Sequence, residues 1–551
     1  MGEMQERSSQ LSFNSSLKVD FQGSRVTSDG GLILVRELDE HRVRALPRLA
    51  ALTIFLATTV GLVAPALAQW SGFARNPQHT AQSPIGSQAL NRIIWSTAVD
   101  LQPQLTAGEL LIHYGSPLIT AANTVIVPVK TSATGAFRVD ARDGANGNLI
   151  WSLPTGYVPP PQSWTPVFGP ALTSKRLYFP GAGGTVYFRD QPDSICSGHG
   201  TCQGQLAFYG IKKYRKTRST FDARVQINTP LTTDRAGNIY FGFLADNFGL
   251  KQPLTDVRGR RLTSGVARIS RTGKGNWVAA AAAAADQSMD QVVTNCAPAL
   301  STDLQTLYVA VSNGSVGYLV ALDSSTLAPK ARVRLIDPLS GIGATLSNNT
   351  SASPTVGPDG DVYFGVLENP CCIENHDRGW LLHFDSSLSQ SKTTGAFGYD
   401  TTVSIVPISA VPSYSGQSSY LLLTKYNNYA NAGGDGLNKI ALLDPSATET
   451  DPVTGVSVMN EVDTIVGPTP NDDLPGVKEW CINSAAVDPA TGSILANNED
   501  GTLYRWLPST NTLSESIVLT PGIGEAYTPT VIGTDGTVYA INNATLFAVG
   551  N

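Results

Sequence analysis

Charge is scarce in this chain. Asp, Glu, Lys and Arg make up 15% of its 551 residues, against about 25% in an average soluble domain, which argues against a coiled coil or a charged disordered tail. A basic excess is missing too. The 38 Lys and Arg stand against 44 Asp and Glu, a formal charge of −6, so the chain offers a phosphate backbone no net attraction and nucleic acid is set aside as a partner. There is no C-x-x-C-H for haem attachment and no D-x-D-x-D-G run for a calcium loop. Beyond residue 68 the histidines are His79, His113, His199, His376 and His383; none has another three or four residues away, which removes the usual zinc pattern. Gly and Pro total 86, about 16%, too few for a collagen-like or low-complexity chain. What is left is a large, turn-rich globular protein.

One stretch of membrane length is present. Arg42, Arg44 and Arg48 precede an apolar run over 49–63, and Ala66-Leu67-Ala68 follows Pro65. A positive flank, a short apolar centre and an A-x-A ending are the parts of a secretory signal peptide, here cleaved after Ala68. The run is short for a bilayer core of about 30 Å; an uncleaved anchor over 49–68 is the alternative, and only then is a membrane a partner. Ahead of it lie Ser12-Phe13-Asn14, Lys18-Val19-Asp20-Phe21 and Thr27-Ser28-Asp29-Gly30-Gly31-Leu32, running to Glu40. These residues resemble the amino terminus of a DDE-class insertion-sequence transposase. The resemblance ends before any region of catalytic carboxylates and implies no transposase activity. No Met occurs between Met4 and Met289, so the expected arrangement is translation from a non-ATG codon such as that of Val43. Residues 1–41 are then a disordered insertion scar or a mis-called start, 42–68 the signal peptide, 69–91 a lead-in and 92–551 the folded domain; a genuine cytoplasmic tail is the alternative for 1–41.

The domain repeats itself. A small residue, Pro, a short apolar run, a polar turn and an aromatic-apolar run recur as Ser116-Pro117-Leu118-Ile119 with Val125-Ile126-Val127, and Gly169-Pro170-Ala171-Leu172 with Leu177-Tyr178-Phe179. They recur again at Thr229-Pro230-Leu231 with Ile239-Tyr240-Phe241, Ala297-Pro298-Ala299-Leu300 with Leu307-Tyr308-Val309, Ser353-Pro354-Thr355-Val356 with Val362-Tyr363-Phe364, and Thr528-Pro529-Thr530-Val531 with Val538-Tyr539-Ala540. From Pro to the aromatic position the spacing is 9, 8, 10, 10, 9 and 10 residues. Weaker copies start at Ser484 and at Ser409, for eight units in all. Each phrase reads as a β-hairpin, with linkers such as Asp234–Asn238, Pro358–Asp361 and Thr534–Gly536 supplying residues that tolerate positive φ. A second strand pair follows, most fully from Ala141 to Trp151. Four antiparallel strands per unit, repeated radially, predict an all-β propeller of eight blades, with seven as the alternative. After Tyr539 the chain has room for one more strand, 544–549. The missing outer strand of the last blade is expected from Arg92–Ala98, zipping the ring shut.

The A-x-D-x-x-x-G-x-x-x-W stretch from Ala141 to Trp151 and the S/T-P phrase ending in D-G-x-V-Y, complete at Asp359–Tyr363 and Asp535–Tyr539, resemble the pyrroloquinoline-quinone-like propeller family. The lead-in residues Trp70-Ser71-Gly72-Phe73, Asn76-Pro77-Gln78-His79-Thr80 and Ser83 resemble the opening of many exported members. The resemblance covers about 70–551 and implies the fold. It implies no single function, because the family holds quinoprotein dehydrogenases, outer-membrane assembly scaffolds and proteins of unknown role. Outer-strand tryptophans are expected to pack against the turn of the next blade, with Trp95, Trp151, Trp277 and Trp506 as candidates. Only Trp151 carries the full preceding motif, so the ring reads as degenerate.

All six cysteines follow Ala68, an even number suited to an oxidising compartment. Cys196 and Cys202 flank a five-residue loop and read as a staple. Cys371 and Cys372 are adjacent in an inserted loop of the fifth unit. Family dehydrogenases place a vicinal disulfide against the quinone, but not at this position, and a structural disulfide is the favoured reading. Cys296 and Cys481 are left unassigned. His376 and Asp377, beside the pair, read as solvated loop groups that could face a ligand. The basic stretch Lys212–Arg218 reads as an exposed loop and the alanine run 279–285 as a surface insertion. The expected function is an exported, periplasmic or extracellular, non-catalytic propeller that binds a protein, an envelope component or a small ligand on one ring face, without catalytic residues, metal or cofactor. The alternative is a pyrroloquinoline-quinone- and calcium-dependent alcohol or sugar dehydrogenase. Amino-terminal sequencing of the exported protein is expected to begin at Gln69; a mature chain still carrying Asp20-Phe21 would overturn the cleavage reading.

Overall fold

The computed structural model describes residues 9–11, 14–19 and 70–551, except 107–108, 111–113, 161–163, 165, 197–201, 372–373, 473, 481 and 522–528. The chain forms two compact units, Met1–Pro65 and Ala66–Asn551. In the first, Ser9–Leu11 pairs antiparallel with Asn14–Val19; the rest of the transposase-like segment and all of 42–68 lie outside the described residues. Among the described residues no helix is long and apolar enough to cross a membrane.

The second unit is a propeller of eight antiparallel blades. The second and third strands are buried on both faces, as each blade lies between two neighbours, while outer strands such as Thr512–Val518 alternate exposed and half-buried residues, and closure leaves few strand edges in water. The inner strands are Leu118–Ile119, Ala171–Leu172, Thr232–Thr233, Ala299–Leu300, Thr355–Val356, Ser404–Pro407, Ala486–Asp488 and Thr530–Ile532. The last blade is completed by Arg92–Ala98, paired antiparallel with Thr545–Gly550, the predicted closure. The hairpin turns put Gly237, Gly360 and Gly536 at φ of 83°, 93° and 85°, the left-handed region in which a Cβ is disfavoured.

Several local expectations are corrected. The inner strand of blade 6 is Ser404–Pro407, not a run starting at Ser409; a 3-10 turn at Ile408–Ala410 and the loop after it stretch the spacing to Tyr420 and hide the repeat. The alanine run is a short helix, Ala280–Ala284, whose Ala280, Ala283 and Ala284 are buried against blades 3 and 4. Small side chains are what allow such close helix-to-sheet packing. Lys212–Arg218 is not a loop but lies in two short helices, Ile211–Lys216 and Arg218–Arg224. Blade 5 has three laddered strands, and single bridges Leu381–Gly395 and Phe384–Ser391 stand in the fourth place. The long hairpin of blade 6, Lys439–Thr450 with Ser457–Val466, delivers Val458 and Met459 into the apolar cluster that holds Phe384 and Phe397.

The lead-in makes one lap of the hub. Trp70 exchanges both backbone hydrogen bonds with Ile119 of blade 1, and Ser71 O accepts from Leu172 N of blade 2. Phe73 lies beside Leu231–Thr233 of blade 3. The carbonyls of Pro77, Gln78, Thr80 and Ala81 then accept, in order, from Leu300, Val356, Ile405 and Val487 of blades 4 to 7, and Gln88 N donates to Gly536 O of blade 8. Inner strands have an unpaired edge facing the axis, and this strap satisfies it. Its carbonyls fan outward because Ala74, Arg75, His79 and Ala81 adopt positive φ. His79 is buried, its Nδ1 2.7 Å from Pro354 O, and burial pulls its pKa down to about 4. Between pH 4 and 6.5 the unfolded chain therefore binds more protons at this residue. Stability is expected to fall as the pH drops through that window, by about 3 kcal/mol, and the fall to be reduced by that amount in His79→Gln, measured as the urea unfolding free energy at both pH limits.

Candidate functional site

In each blade the inner strand runs away from one face of the ring, so the connections between blades and those between second and third strands gather on that face. The strap sits beside the far ends of the inner strands. The loop face is therefore the open end of the hub, and the longest connections of blades 5, 6 and 7 bring carboxylates and tyrosines together there.

Glu368 follows the second strand of blade 5 and is buried, its Oε1 accepting from Asp377 N at 2.7 Å and its Oε2 from Gly379 N at 2.9 Å. These bonds fix the loop carrying His376 and Asp377, both at positive φ. Burial pushes the Glu368 and Asp377 carboxyls above the usual range. In blade 6, the Tyr429 hydroxyl donates to Glu479 Oε2 at 2.6 Å, and Asn427 Nδ2 donates to the same oxygen at 2.7 Å. Lys425 Nζ, buried, lies 3.8 Å from it. Asp400 joins the two halves: its charge, first among the causes, holds the Tyr399 phenol protonated well above its ordinary range, and after burial and Glu479 it contributes to the same rise at Tyr429. Glu499 acts on Tyr429 as well. A cavity of about 40 Å³ opens beside Tyr399, lined by Thr345, Ser347, Thr350 and Val366.

Among the described residues, the buried polar atoms of blades 6 and 7 without a hydrogen-bond partner on this face include Asn427 Oδ1, Asn483 Oδ1, Ser484 Oγ and Asn498 Nδ2. A buried amide or hydroxyl without a partner carries a desolvation cost of about 1–3 kcal/mol, and such atoms mark places where a ligand or water completes the bonding. Asn427 is the most telling, because its amide nitrogen is already committed to Tyr429 and Glu479.

Arg378 anchors the cluster from behind. Fully buried, it donates to both oxygens of Asp451 at 3.0 and 2.8 Å, and to Tyr426 Oη at 3.2 Å.

The cysteines divide. Cys196 and Cys202 form the expected staple, Cα atoms 5.9 Å apart. Cys371 is disulfide-bonded and its Sγ lies 3.6 Å from Asp377 Oδ1, at the rim of the acidic cluster; Cys372 lies outside the described residues. Cys296 is a buried free thiol, not part of a bridge, and burial pushes its pKa up to about 12; Cys481 lies outside the described residues. His376 Nδ1 is 2.9 Å from Asn428 Oδ1, inside the cluster. His383 is on the other side of blade 5, 2.9 Å from Asp361, and His113 and His199 lie outside the described residues. Among the described residues no three His, Cys, Asp or Glu side chains are arranged to hold a metal ion.

The tryptophans serve two kinds of contact. Trp95 donates to Gly144 O at 2.8 Å and Trp151 to Pro192 O at 2.7 Å, each in the next blade's turn. Trp277 donates instead to Asp256 and Trp506 to Asn511, within their own blades. Missed from sequence was the repeated tyrosine of the second strand. Tyr178 reaches Gly237 O, Tyr308 reaches Ser386 O, Tyr539 reaches Gly144 O, and Tyr363 and Tyr420 pair hydroxyls at 2.6 Å. The signal was present in the phrase itself, as an aromatic with a polar tip at a fixed place in each unit.

Neither a family model nor a curated protein matches the chain. Among solved structures it is similar to a europium-containing methanol dehydrogenase, at 11% identity over 86% of this chain and 89% of that one, TM-score 0.50. It is similar to the quinohemoprotein alcohol dehydrogenase from Comamonas testosteroni at 12% identity, over 88% and 81%, TM-score 0.50. BamB from Moraxella catarrhalis aligns at 11% over 84% and 97% with TM-score 0.38, too low to carry an argument. At these identities the likeness shows the eight-bladed propeller fold alone.

The ion pair gives a direct test of how the cluster is held. Asp451→Ala leaves the Arg378 guanidinium buried without its anion and is expected to cost about 3–5 kcal/mol, read as a lowered denaturant midpoint.

Proposed function

We propose that the chain is an exported binding propeller whose ligand site is the open end of the hub, and that the group it takes there is a cation, an ammonium or guanidinium borne by a partner. The supporting observation is the loop-face cluster. Glu368, Asp377, Asp400, Glu479 and Glu499 surround two tyrosines with one paired ammonium, Lys425, and a buried acceptor, Asn427 Oδ1, that has no hydrogen-bond partner among the described residues. Acceptors and negative charge are in excess, and a hydrogen-bond donor with positive charge completes both.

The same donor set suits the dehydrogenase reading poorly. Pyrroloquinoline quinone carries carboxylates of its own. The nearby cations are already committed, Lys425 to Glu479 and Arg378 to Asp451. Both oxygens of Glu368 already accept a backbone N–H, which leaves it one lone pair on each oxygen for any further partner.

Calorimetric titration with spermidine and with a tetralysine peptide is the test. Binding is expected, weakened about tenfold by Glu479→Gln and by Asp377→Asn. It should also weaken as the pH falls through the raised ionisations of Glu368 and Asp377, because protonation removes the attracting charge. Dye reduction with alcohols after addition of pyrroloquinoline quinone and calcium would overturn this reading, as would failure of both probes to bind.

A further inference from the structure

The loop face carries a second feature, roughly across the ring from the acidic cluster. The connection between blades 2 and 3, residues 208–224, and the second-to-third-strand loop of blade 3, residues 246–264, are both long and adjacent. Between them they hold ten Lys and Arg against three Asp, a local +7 in a chain of −6. The three acids are spoken for: Asp222 by Arg218, Asp246 by Arg224 and Asp256 by Arg260. Lys212, Arg215, Lys216, Lys251, Arg258 and Arg261 are exposed and have no carboxylate partner among the described residues.

From the middle of this charge two large apolar side chains project. Phe248 is 87% exposed and Val257 63% exposed. An exposed aromatic on a floppy loop would mean little, but this loop is held. Leu254 and Leu262 are buried. Asn247 bonds Leu262 O and Leu254 N at 2.7 Å each. Asp256 accepts from Arg258 N, Arg260 N and Trp277 Nε1. The two connections are pinned together by Lys213 Nζ to Thr255 Oγ1 at 2.6 Å and Val257 N to Tyr209 O at 3.1 Å. Phe248 is thus presented to solvent by a braced scaffold.

We propose that this lobe docks on an anionic lipid surface, Phe248 and Val257 entering the headgroup layer while the surrounding Lys and Arg meet the lipid phosphates. Charge complementarity points to an anionic partner. The projecting apolar tips ringed by cations favour a bilayer over an acidic protein, since a soft surface accepts a protruding side chain whereas a folded partner needs a matching pocket. The lobe and the acidic cluster share no residue, so this inference goes beyond the binding reading above and can fail independently of it.

Co-sedimentation of the full-length chain with phosphatidylglycerol and with phosphatidylcholine vesicles tests it. The apolar run over 49–63 and its basic flank Arg42, Arg44 and Arg48 make the same contribution in every variant, so the part of the difference between compositions that substitutions in the lobe remove is what reads the lobe. Binding is expected to be at least tenfold tighter to phosphatidylglycerol, and this preference to vanish in about 0.5 M salt, where the Debye length is only a few Å. Phe248→Ala is expected to reduce it several-fold, and Lys216→Glu combined with Arg258→Glu to bring it down to the level of a fragment holding residues 1–68 alone. In a Phe248→Trp variant, indole emission should shift to the blue on phosphatidylglycerol vesicles alone. Equal binding to both compositions, or an unshifted emission, overturns the proposal. So does saturable binding of polyglutamate that persists in Phe248→Ala without lipid preference, which would assign the lobe to an acidic protein.

Discussion

The unpaired inner edge of every blade is the constraint on which the ring depends. Strands bond to their neighbours inside a blade, but the innermost strand has one row of N–H and C=O groups aimed at the axis. In this protein a single segment meets most of these edges, while Leu231 N of blade 3 bonds Gly169 O of blade 2. Residues 70–88 pass the blades in ring order and offer carbonyls to the N–H groups of Leu172, Leu300, Val356, Ile405 and Val487. Side chains reinforce the lap, with Gln78 Nε2 donating to Leu300 O and Ser301 O and Gln82 Nε2 to Ile405 O. Seen this way the lead-in is the hub of the fold rather than its preface, and it leaves the loop face as the free end of the axis.

On that free face charge is separated. Blades 5 to 7 supply carboxylates and phenols to the mouth of the hub, while blades 2 and 3 supply a basic lobe tipped with Phe248. A chain with a modest overall charge of −6 thus presents two strong local fields of opposite sign, which net charge alone conceals. The two features also differ in mechanics. The acidic cluster is half-buried and tied from behind by Arg378 and Asp451, whereas the lobe projects and is braced by backbone-directed bonds from Asn247 and Asp256.

Much of this architecture was legible in the residues. The Pro-to-aromatic spacing located most blades because a blade is a local unit, and its hairpins are written in contiguous sequence. Ring closure by Arg92–Ala98 followed from counting strands. Blade 6 was harder, since the insertion at 408–418 broke the spacing that made the other units visible. The alanine run looked like surface because composition says nothing about what packs against it. Trp277 and Trp506 bond to Asp256 and Asn511 within their own blades, and Trp506 stands on the third strand of its blade rather than the outer one.

By itself, then, the sequence determined the repeat, the four-stranded unit and the closing strand, since each depends on periodicity and turn chemistry within some tens of residues. Tertiary structure alone decided the strap and the acidic mouth. The strap bonds through backbone carbonyls, which every residue type carries and no motif can announce. The mouth is assembled from Glu368, Asp400, Tyr429, Glu479 and Glu499, residues spread over three blades that meet only because the ring brings their loops to one end of the axis.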